Sequence, residues 1–321
     1  MKNNILFIVV PCYNEEEALQ ETTKRLKEKL EKLIKEKLIS KDSKVLYVND
    51  GSKDSTWDMI KSISKKDKMF TGICLSRNRG HQNALVAGLM TAKEHADVII
   101  SMDADLQDDI NAIDEMIKKY HDGCEIVYGV RSARKTDTFF KKFTAEGFYK
   151  FMSKMGVDIV YNHADYRLTS KKVLNEFENY NEVNLFLRGI FPLIGYKNDI
   201  VYYERNERFA GESKYPLKKM LNFAWDGITS FSVKPIRLIT TFGIVLTTLS
   251  FIALAATIII NIISSKDLLM FILMTLISFF AGIQTLFIGI IGEYIGKTYV
   301  ETKARPRFAI SENLLEVEND K

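Results

Sequence analysis

The chain has 321 residues, 46% hydrophobic and 27% charged, with a formal net charge of +4. That length holds one large or two small domains whose core needs no disulfide support, and the composition is globular, not disordered. The charge is too small to argue for nucleic acid. The three cysteines, Cys12, Cys74 and Cys124, are too far apart for a zinc site and sit in or beside apolar runs, as buried thiols of a reducing compartment do.

The first ten residues lack the length and cleavage region of a signal peptide and read as a strand. Apolar runs at residues 5–10, 45–48, 73–75, 98–102 and 126–128 predict strands, and residues 18–38, 55–65, 82–95 and 110–120 carry helical patterns between them. In the first helix Leu19, Leu26, Leu30, Leu33 and Leu38 form an apolar stripe suited to packing on a sheet. Strands alternating with helices predict an α/β fold with a mostly parallel sheet. Farther on, residues 238–265 and 268–292 contain no charged residue, and each exceeds the roughly 20 residues that span a hydrocarbon core. Only Lys266 and Asp267 separate them, which predicts a two-helix transmembrane hairpin. Basic residues flank it on both sides: Lys214, Lys218, Lys219, Lys234 and Arg237 before, then Lys297, Lys303, Arg305 and Arg307 after. The positive-inside rule puts both flanks, and the N-terminal domain, in the cytoplasm. Residues 215–234 mix Leu217, Met220, Leu221, Phe223, Trp225 and Phe231 with lysines, the composition of an interfacial amphipathic helix. The acidic tail from about Ser311 reads as loosely held.

Chemistry concentrates where strands end. The fourth strand closes in Asp103-Ala104-Asp105-Leu106-Gln107. Alternate residues of an extended segment point the same way, so Asp103 and Asp105 can converge on one cation at the edge where α/β sheets bind ligands. After the first strand come Pro11-Cys12-Tyr13-Asn14-Glu15-Glu16, where the proline ends the ladder, Asn14 can cap a helix and Tyr13 offers a flat face to a nucleobase. The second strand ends in Asn49-Asp50-Gly51-Ser52-Lys53-Asp54-Ser55. A turn and a helix cap account for most of it but not for Asp50, which is placed to bond a base or ribose. In Ser76-Arg77-Asn78-Arg79-Gly80-His81-Gln82 two arginines precede a helix N-terminus, an arrangement that suits an anion.

Taken together, these four patterns resemble the family 2 glycosyltransferases of the GT-A fold. More narrowly they resemble the polyprenyl-phosphate glycosyltransferases, such as dolichol-phosphate mannose synthases and bactoprenol glucosyltransferases. The resemblance implies a nucleotide-sugar donor over the sheet, with Pro11, Tyr13, Glu15 and Asp50 at the nucleoside. It implies Mg²⁺ or Mn²⁺ on Asp103 and Asp105, with Gln107 a further ligand. Arg131 resembles a phosphate-facing arginine, and Asp165 in Ala164-Asp165-Tyr166-Arg167-Leu168 matches an acidic residue near the transferring sugar. Arg208, Ser213 and Lys214 match the family's Arg-X-X-Gly-X-Ser-Lys-Tyr loop, which is expected to meet phosphates around a flexible Gly211. The chain departs from the family at Arg79, where an aromatic residue is usual.

The implied activity is inverting, metal-dependent transfer of a sugar to undecaprenyl phosphate, with UDP-glucose or UDP-N-acetylglucosamine preferred over GDP-mannose as donor. The implied layout is a cytoplasmic GT-A catalytic domain over residues 1–210, then an acceptor loop and juxtamembrane segment over 211–236. Two membrane helices over 237–297 and a cytoplasmic tail over 298–321 complete a multi-pass protein of the cell membrane. Partners would be the nucleotide sugar, the polyprenyl phosphate and the bilayer, and Gly282, Gly289 and Gly292 give the second span a surface for homo-oligomer packing. Three other readings compete. A processive polysaccharide synthase of this family would carry a Gln-X-X-Arg-Trp motif, which is absent. An inactive membrane-anchored nucleotide-binding protein would tolerate loss of the metal ligands, and they are present. A dinucleotide oxidoreductase would place Gly-X-Gly-X-X-Gly where Pro11-Cys12-Tyr13 stands.

Overall fold

The structure is a computed structural model and describes residues 3–132, 163–183, 185–204, 228–229, 232, 234–263 and 269–315. The chain divides into two compact units: residues 1–150 with 158–216 and 304–321, and residues 151–157 with 217–303.

The first unit is built on β1 (Leu6–Cys12), β2 (Lys44–Asn49), β3 (Phe70–Leu75), β4 (Val98–Ser101), β5 (Ile126–Arg131), β6 (His163–Ser170), β7 (Asn198–Tyr203) and β8 (Ile310–Asn313). They form one sheet in the order β7-β5-β6-β4-β1-β2-β3-β8. Its helices are α1 (Leu19–Lys35), α2 (Thr56–Lys66), α3 (His81–Lys93), α4 (Ala112–His121), α5 (Lys171–Phe177) and α6 (Leu187–Ile194). β1 pairs in parallel with β2 and β4, β2 with β3, and β5 with β7, whereas β6 and β8 run antiparallel to their neighbours. The expected strands and helices of the N-terminal half therefore form, in a sheet that is mixed but mostly parallel.

Burial on both faces explains why β1 reads as a continuous apolar run. Leu6, Ile8 and Val10 join a core with Leu19, Leu26, Leu30 and Leu33 of α1, while Val9 on the opposite face meets α3 at Gly88. From β1 the chain winds outward through β2 and β3, then returns to β4 on the other flank of β1. Diverging connections on either side of one strand open a crevice at the strands' carboxyl ends.

Three local expectations are corrected. Pro11 does not end the ladder, because β1 continues through Cys12, with Pro11 paired to Val48. Val9 O accepts from Met102 N on the β4 side, and Cys12 O accepts from Asp50 N on the β2 side. By alternation Pro11 faces the β4 flank, where pairing has already stopped at Val9 and Ser101, so its missing N–H leaves no ladder bond unmade. Asn14 caps no helix, since α1 starts five residues later without a side-chain cap. It sits at φ 56° instead, with its Oδ1 accepting from Lys53 N at 2.9 Å. Nor is the tail loose over the described residues 311–315. Ile310–Asn313 pairs with β3, Ser311 Oγ donates to Cys74 O at 3.1 Å, and Trp57 Nε1 donates to Glu312 Oε1 at 3.0 Å. Leu315 is buried just beyond, which anchors a strand whose own sequence is polar. All three cysteines are free and buried, as expected.

The second unit contains α7 (Lys234–Ile263) and α8 (Leu269–Thr302), whose Phe242 and Phe287 rings meet edge to face at 5.7 Å. Tyr294 Oη donates to Ser232 O at 2.6 Å. Among the described residues one helical stretch, Ile272–Thr302, is long and apolar enough to cross a membrane by length and composition. It runs farther than the second span expected from the sequence. The connection at 264–268 and the amphipathic stretch at 215–227 lie outside the described residues.

Leu315→Ala tests the anchoring of β8. A buried leucine truncated to alanine costs about 2–5 kcal/mol, so the thermal unfolding midpoint of the purified protein should fall by several degrees. An unchanged midpoint would mean that β8 contributes nothing to the sheet.

Candidate active site

The carboxyl ends of β1, β2 and β4 and the start of α3 enclose a cleft of about 350 Å³. Pro11, Tyr13, Glu15, Asp50, Asp103 and Asp105, all singled out from the sequence, line it together with Gly80 and His81. Tyr13 presents 42% of its surface. Its loop is laced to the one after β2: Asn14 N donates to Ser52 Oγ at 3.0 Å, and Glu15 N to Thr56 Oγ1 at 3.0 Å.

Asp50 is buried, and each carboxylate oxygen is engaged by backbone, Oδ1 by Arg79 N at 2.7 Å and Oδ2 by Gly80 N at 2.9 Å. Burial raises its pKa, and these two bonds and the charge of His81 oppose the rise without cancelling it. Asp50 is thus the clasp between the loops after β2 and β3 as well as a wall of the cleft. The same closeness demands Gly51, at φ 63°, where a Cβ would stand 2.5 Å from Asn78 N. Gly80, at φ 85° and ψ 155°, turns the chain into α3 in a conformation reserved for glycine. Gly80 has no side chain to cap that helix, and the helix start lines the cleft at Gly80, His81 and Ala84.

Asp103 keeps 37% of its side chain exposed, while Asp105 is buried and accepts from Gln107 N at 3.1 Å. Between them, Ala104 O accepts from Thr22 Oγ1 of α1 at 2.8 Å, which fixes the backbone that spaces the two carboxylates. Gln107 is not among the described residues lining the cleft. Among the described residues no three His, Cys, Asp or Glu side chains gather as a ready-made metal site.

Asp165 reaches the same edge because β6 is antiparallel. Its early residues lie beside the end of β4, where Ser101 Oγ donates to Asp165 O at 2.5 Å. Arg188 of α6 forks onto the carboxylate, Nε to Oδ1 at 3.4 Å and Nη2 to Oδ2 at 3.3 Å. His81 Nε2 stands 3.7 Å from both Asp165 Oδ2 and Asp103 Oδ1. Burial works to raise the Asp165 pKa, but Arg188, His81 and Arg167 prevail and hold it well below the ordinary carboxylate range. Arg131 at the end of β5 donates to Tyr203 Oη at 3.2 Å and to Asp108 Oδ1 at 3.5 Å. Tyr203 Oη itself donates to Asp108 Oδ1 at 2.5 Å. Arg208, Ser213 and Lys214 lie outside the described residues.

The sequence model of glycosyl transferase family 2 matches residues 7–177. The chain belongs to glycosyl transferase family 2. It is an enzyme, a glycosyltransferase with the GT-A fold. Among its relatives, the uncharacterized glycosyltransferase YkoT of Bacillus subtilis (strain 168) is 55% identical, over 97% of this chain and 92% of its own. A prophage bactoprenol glucosyl transferase homolog of Escherichia coli (strain K12) is 41% identical, over 94% of this chain and 97% of its own. The bactoprenol glucosyl transferase of Shigella phage SfX is 39% identical over the same shares, 94% and 97%.

In and around this candidate site stand residues that the amino-acid order alone did not single out. Asp108 is buried, and burial first, then Asp103, raise its pKa to about 6 against Arg131 and Tyr203, with Asp105 adding to the rise. Its signal was a third carboxylate closing the Asp103-to-Asp108 run. Arg188 is a lone charge in the otherwise apolar run from Phe186 to Ile194, which is itself a signal. His81 and Arg167 lay inside quoted motifs without an assigned part. Arg79, the departure from the family pattern, contributes its backbone N–H to Asp50, and no described residue bonds its buried Nε.

Removing the Asp50 clasp should free the Arg77-to-Gly80 turn. In Asp50→Ala, trypsin should cut after Arg77 or Arg79 at least about tenfold faster than in the wild type, as for a loop whose local opening cost falls by 1.4 kcal/mol or more. Equal cleavage rates would show that the turn is held by something else.

Proposed function

We propose that this glycosyltransferase moves a sugar, glucose by preference, from a uridine nucleotide to undecaprenyl phosphate at the cytoplasmic face of the membrane. One observation carries the reading: the paired carboxylates Asp103 and Asp105 line the same cleft as Tyr13 and Asp50. A nucleoside diphosphate has the parts to match, a flat base, a ribose and a doubly charged tail. The choice of glucose and of a polyprenyl acceptor is supported by relatives about 40% identical over nearly the whole chain that are named bactoprenol glucosyl transferases.

The donor set suits Mg²⁺ or Mn²⁺. Asp103 and Asp105 would hold such a cation with hard oxygens from one strand end. When bound, such an ion neutralises charge that builds on the departing diphosphate. The chain's own residues do the rest. Tyr13 and Glu15 border the nucleoside, Asp50 holds the wall of the cleft, and the open start of α3 favours the diphosphate. Arg131, which is not among the described residues lining the cleft, is assigned to the donor phosphates, with Asp108 and Tyr203 fixing its orientation. Arg208, Ser213 and Lys214 receive the acceptor phosphate. That phosphate is already anionic at neutral pH, so it needs orientation more than a base. Asp165, kept ionised, accepts a hydrogen bond and does not collect a proton.

The same reading makes the protein a two-span membrane enzyme, with the helices at 234–263 and 269–302 as a hairpin. Their large apolar side chains at Leu238, Ile244, Leu249, Met270, Ile277 and Ile288 are exposed, a surface that lipid covers and water does not favour. Residues 1–210 then form the cytoplasmic catalytic part.

Two experiments test the reading. Purified protein in detergent, given undecaprenyl phosphate and labelled nucleotide sugars, should label the extracted lipid from UDP-glucose most strongly. Asp103→Asn or Asp105→Asn should lower that transfer at least about 10³-fold while thermal unfolding stays within a few degrees, and EDTA should stop transfer until Mg²⁺ or Mn²⁺ is returned. Full turnover in excess chelator would sink the metal assignment. Separately, Arg208→Ala should cut transfer by about two orders of magnitude and exceed the effect of Lys214→Ala, because a planar fork is lost and not only a charge. Calorimetry with UDP should find little change in either variant, and a large loss of UDP affinity there would move this loop to the donor side.

A further inference from the structure

Asp165 is held from three directions. Arg188 grips both oxygens from α6, His81 approaches Oδ2 from the start of α3, and Arg167 lies two residues along the same face of β6. The carrier of Arg188 is itself fixed to the cleft. Gln82 Oε1, next to His81, accepts from Leu187 N at 3.0 Å and so ties the first turn of α6 to the first turn of α3. Beneath them Arg167 is fully buried, its guanidinium 3.6 Å from the Phe191 ring centroid, and no described residue hydrogen-bonds its Nε, Nη1 or Nη2. A buried cation without hydrogen bonds is costly, so its compensation comes from the aromatic face and from the nearby carboxylate. This is a large expense of charge and order around one side chain.

We propose that Arg188 is a positioning residue for transfer, holding the Asp165 carboxylate in one orientation at the cleft edge so that its remaining lone pairs accept a hydroxyl of the transferring sugar. The proposal rests on the reading of the cleft as the donor site. A forked arginine uses one lone pair on each carboxylate oxygen and leaves the others directed away from it. His81, between Asp165 and Asp103, sets that direction toward the carboxylates that line the cleft. A lysine supplies charge without the fork and fixes no orientation.

The test uses full-length enzyme in detergent and compares Arg188→Ala, Arg188→Lys, Asp165→Asn and the double variant Arg188→Ala with Asp165→Asn. Arg188→Ala should lower kcat about 10–100-fold with KM for the nucleotide sugar within about threefold, the scale of a misplaced group and not of lost binding. Arg188→Lys should recover little of this, whereas guanidinium ion added to Arg188→Ala should recover part of it. The double variant should be no slower than Asp165→Asn alone, because Arg188 acts through that carboxylate. Wild-type kcat in Arg188→Ala, or losses that multiply in the double variant, overturns the proposal while leaving the transferase reading intact. If Arg188→Ala does not fold, Arg188→Lys decides: full kcat there overturns the fork. Absence of transfer by the wild type from every nucleotide sugar overturns the functional reading, and this role with it.

Discussion

Anions brought together at one edge of a sheet repel, and each loses water as the protein folds around it. Asp50, Asp103, Asp105, Asp108 and Asp165 all sit at one edge of the sheet, past the carboxyl ends of β2 and β4 and near the amino end of the antiparallel β6, and the surrounding structure is organised by how each is held. Asp50 takes two backbone N–H groups, which needs the tight turn at Gly80 and the missing side chain at Gly51. Asp108 takes Tyr203 and Arg131 from the far end of the sheet, drawing β5 and β7 to the site. Asp165 takes a guanidinium fork from α6. Asp103 is the more exposed of the pair at the end of β4, next to an imidazole that two carboxylates share. Each partner fixes a different element, so satisfying the charges also fixes the geometry of the cleft.

This division explains what could be read from the amino-acid order. The inner strands β1, β2, β3 and β4 are buried on both faces and announce themselves as apolar runs, and the polar residues that end them mark the ligand edge. β6 does not announce itself. Ala164, Tyr166 and Leu168 face the core, but the alternate positions are polar, Asp165 half-buried and Arg167 and Thr169 buried, so the pattern resembles a loop. β8 is too short and too polar to be seen, and its place comes from Trp57 and Cys74, more than two hundred residues earlier. Sites formed between neighbouring residues were legible. Those formed by an antiparallel return of the chain, such as Arg188 on Asp165, depended on a pairing that local pattern does not encode.

Pro11 shows the same limit at the scale of one residue. Its ring forbids a ladder bond, and the local rule therefore ends the strand there. Tertiary structure overrides the rule by stopping β4 first, so that the flank Pro11 faces no longer asks for a donor. The extra residues of β1 carry Cys12 and Tyr13 out over the crevice, and a proline is the one residue that extends the strand without leaving an unpaired N–H on that open flank.

The electrostatics of Asp165 bear on what kind of nucleophile this site can serve. A general base must take up a proton in the transition state, and burial alone, by raising the pKa, would have made this carboxylate a stronger base. The cations around it do the reverse and leave it a permanent acceptor. Such a group suits an acceptor that arrives deprotonated, because no proton has to be taken from it in the transition state. A phosphate meets that condition at neutral pH and a sugar hydroxyl does not. On the proposed reading, the cations around Asp165 fit an acceptor phosphate that needs orientation more than proton transfer.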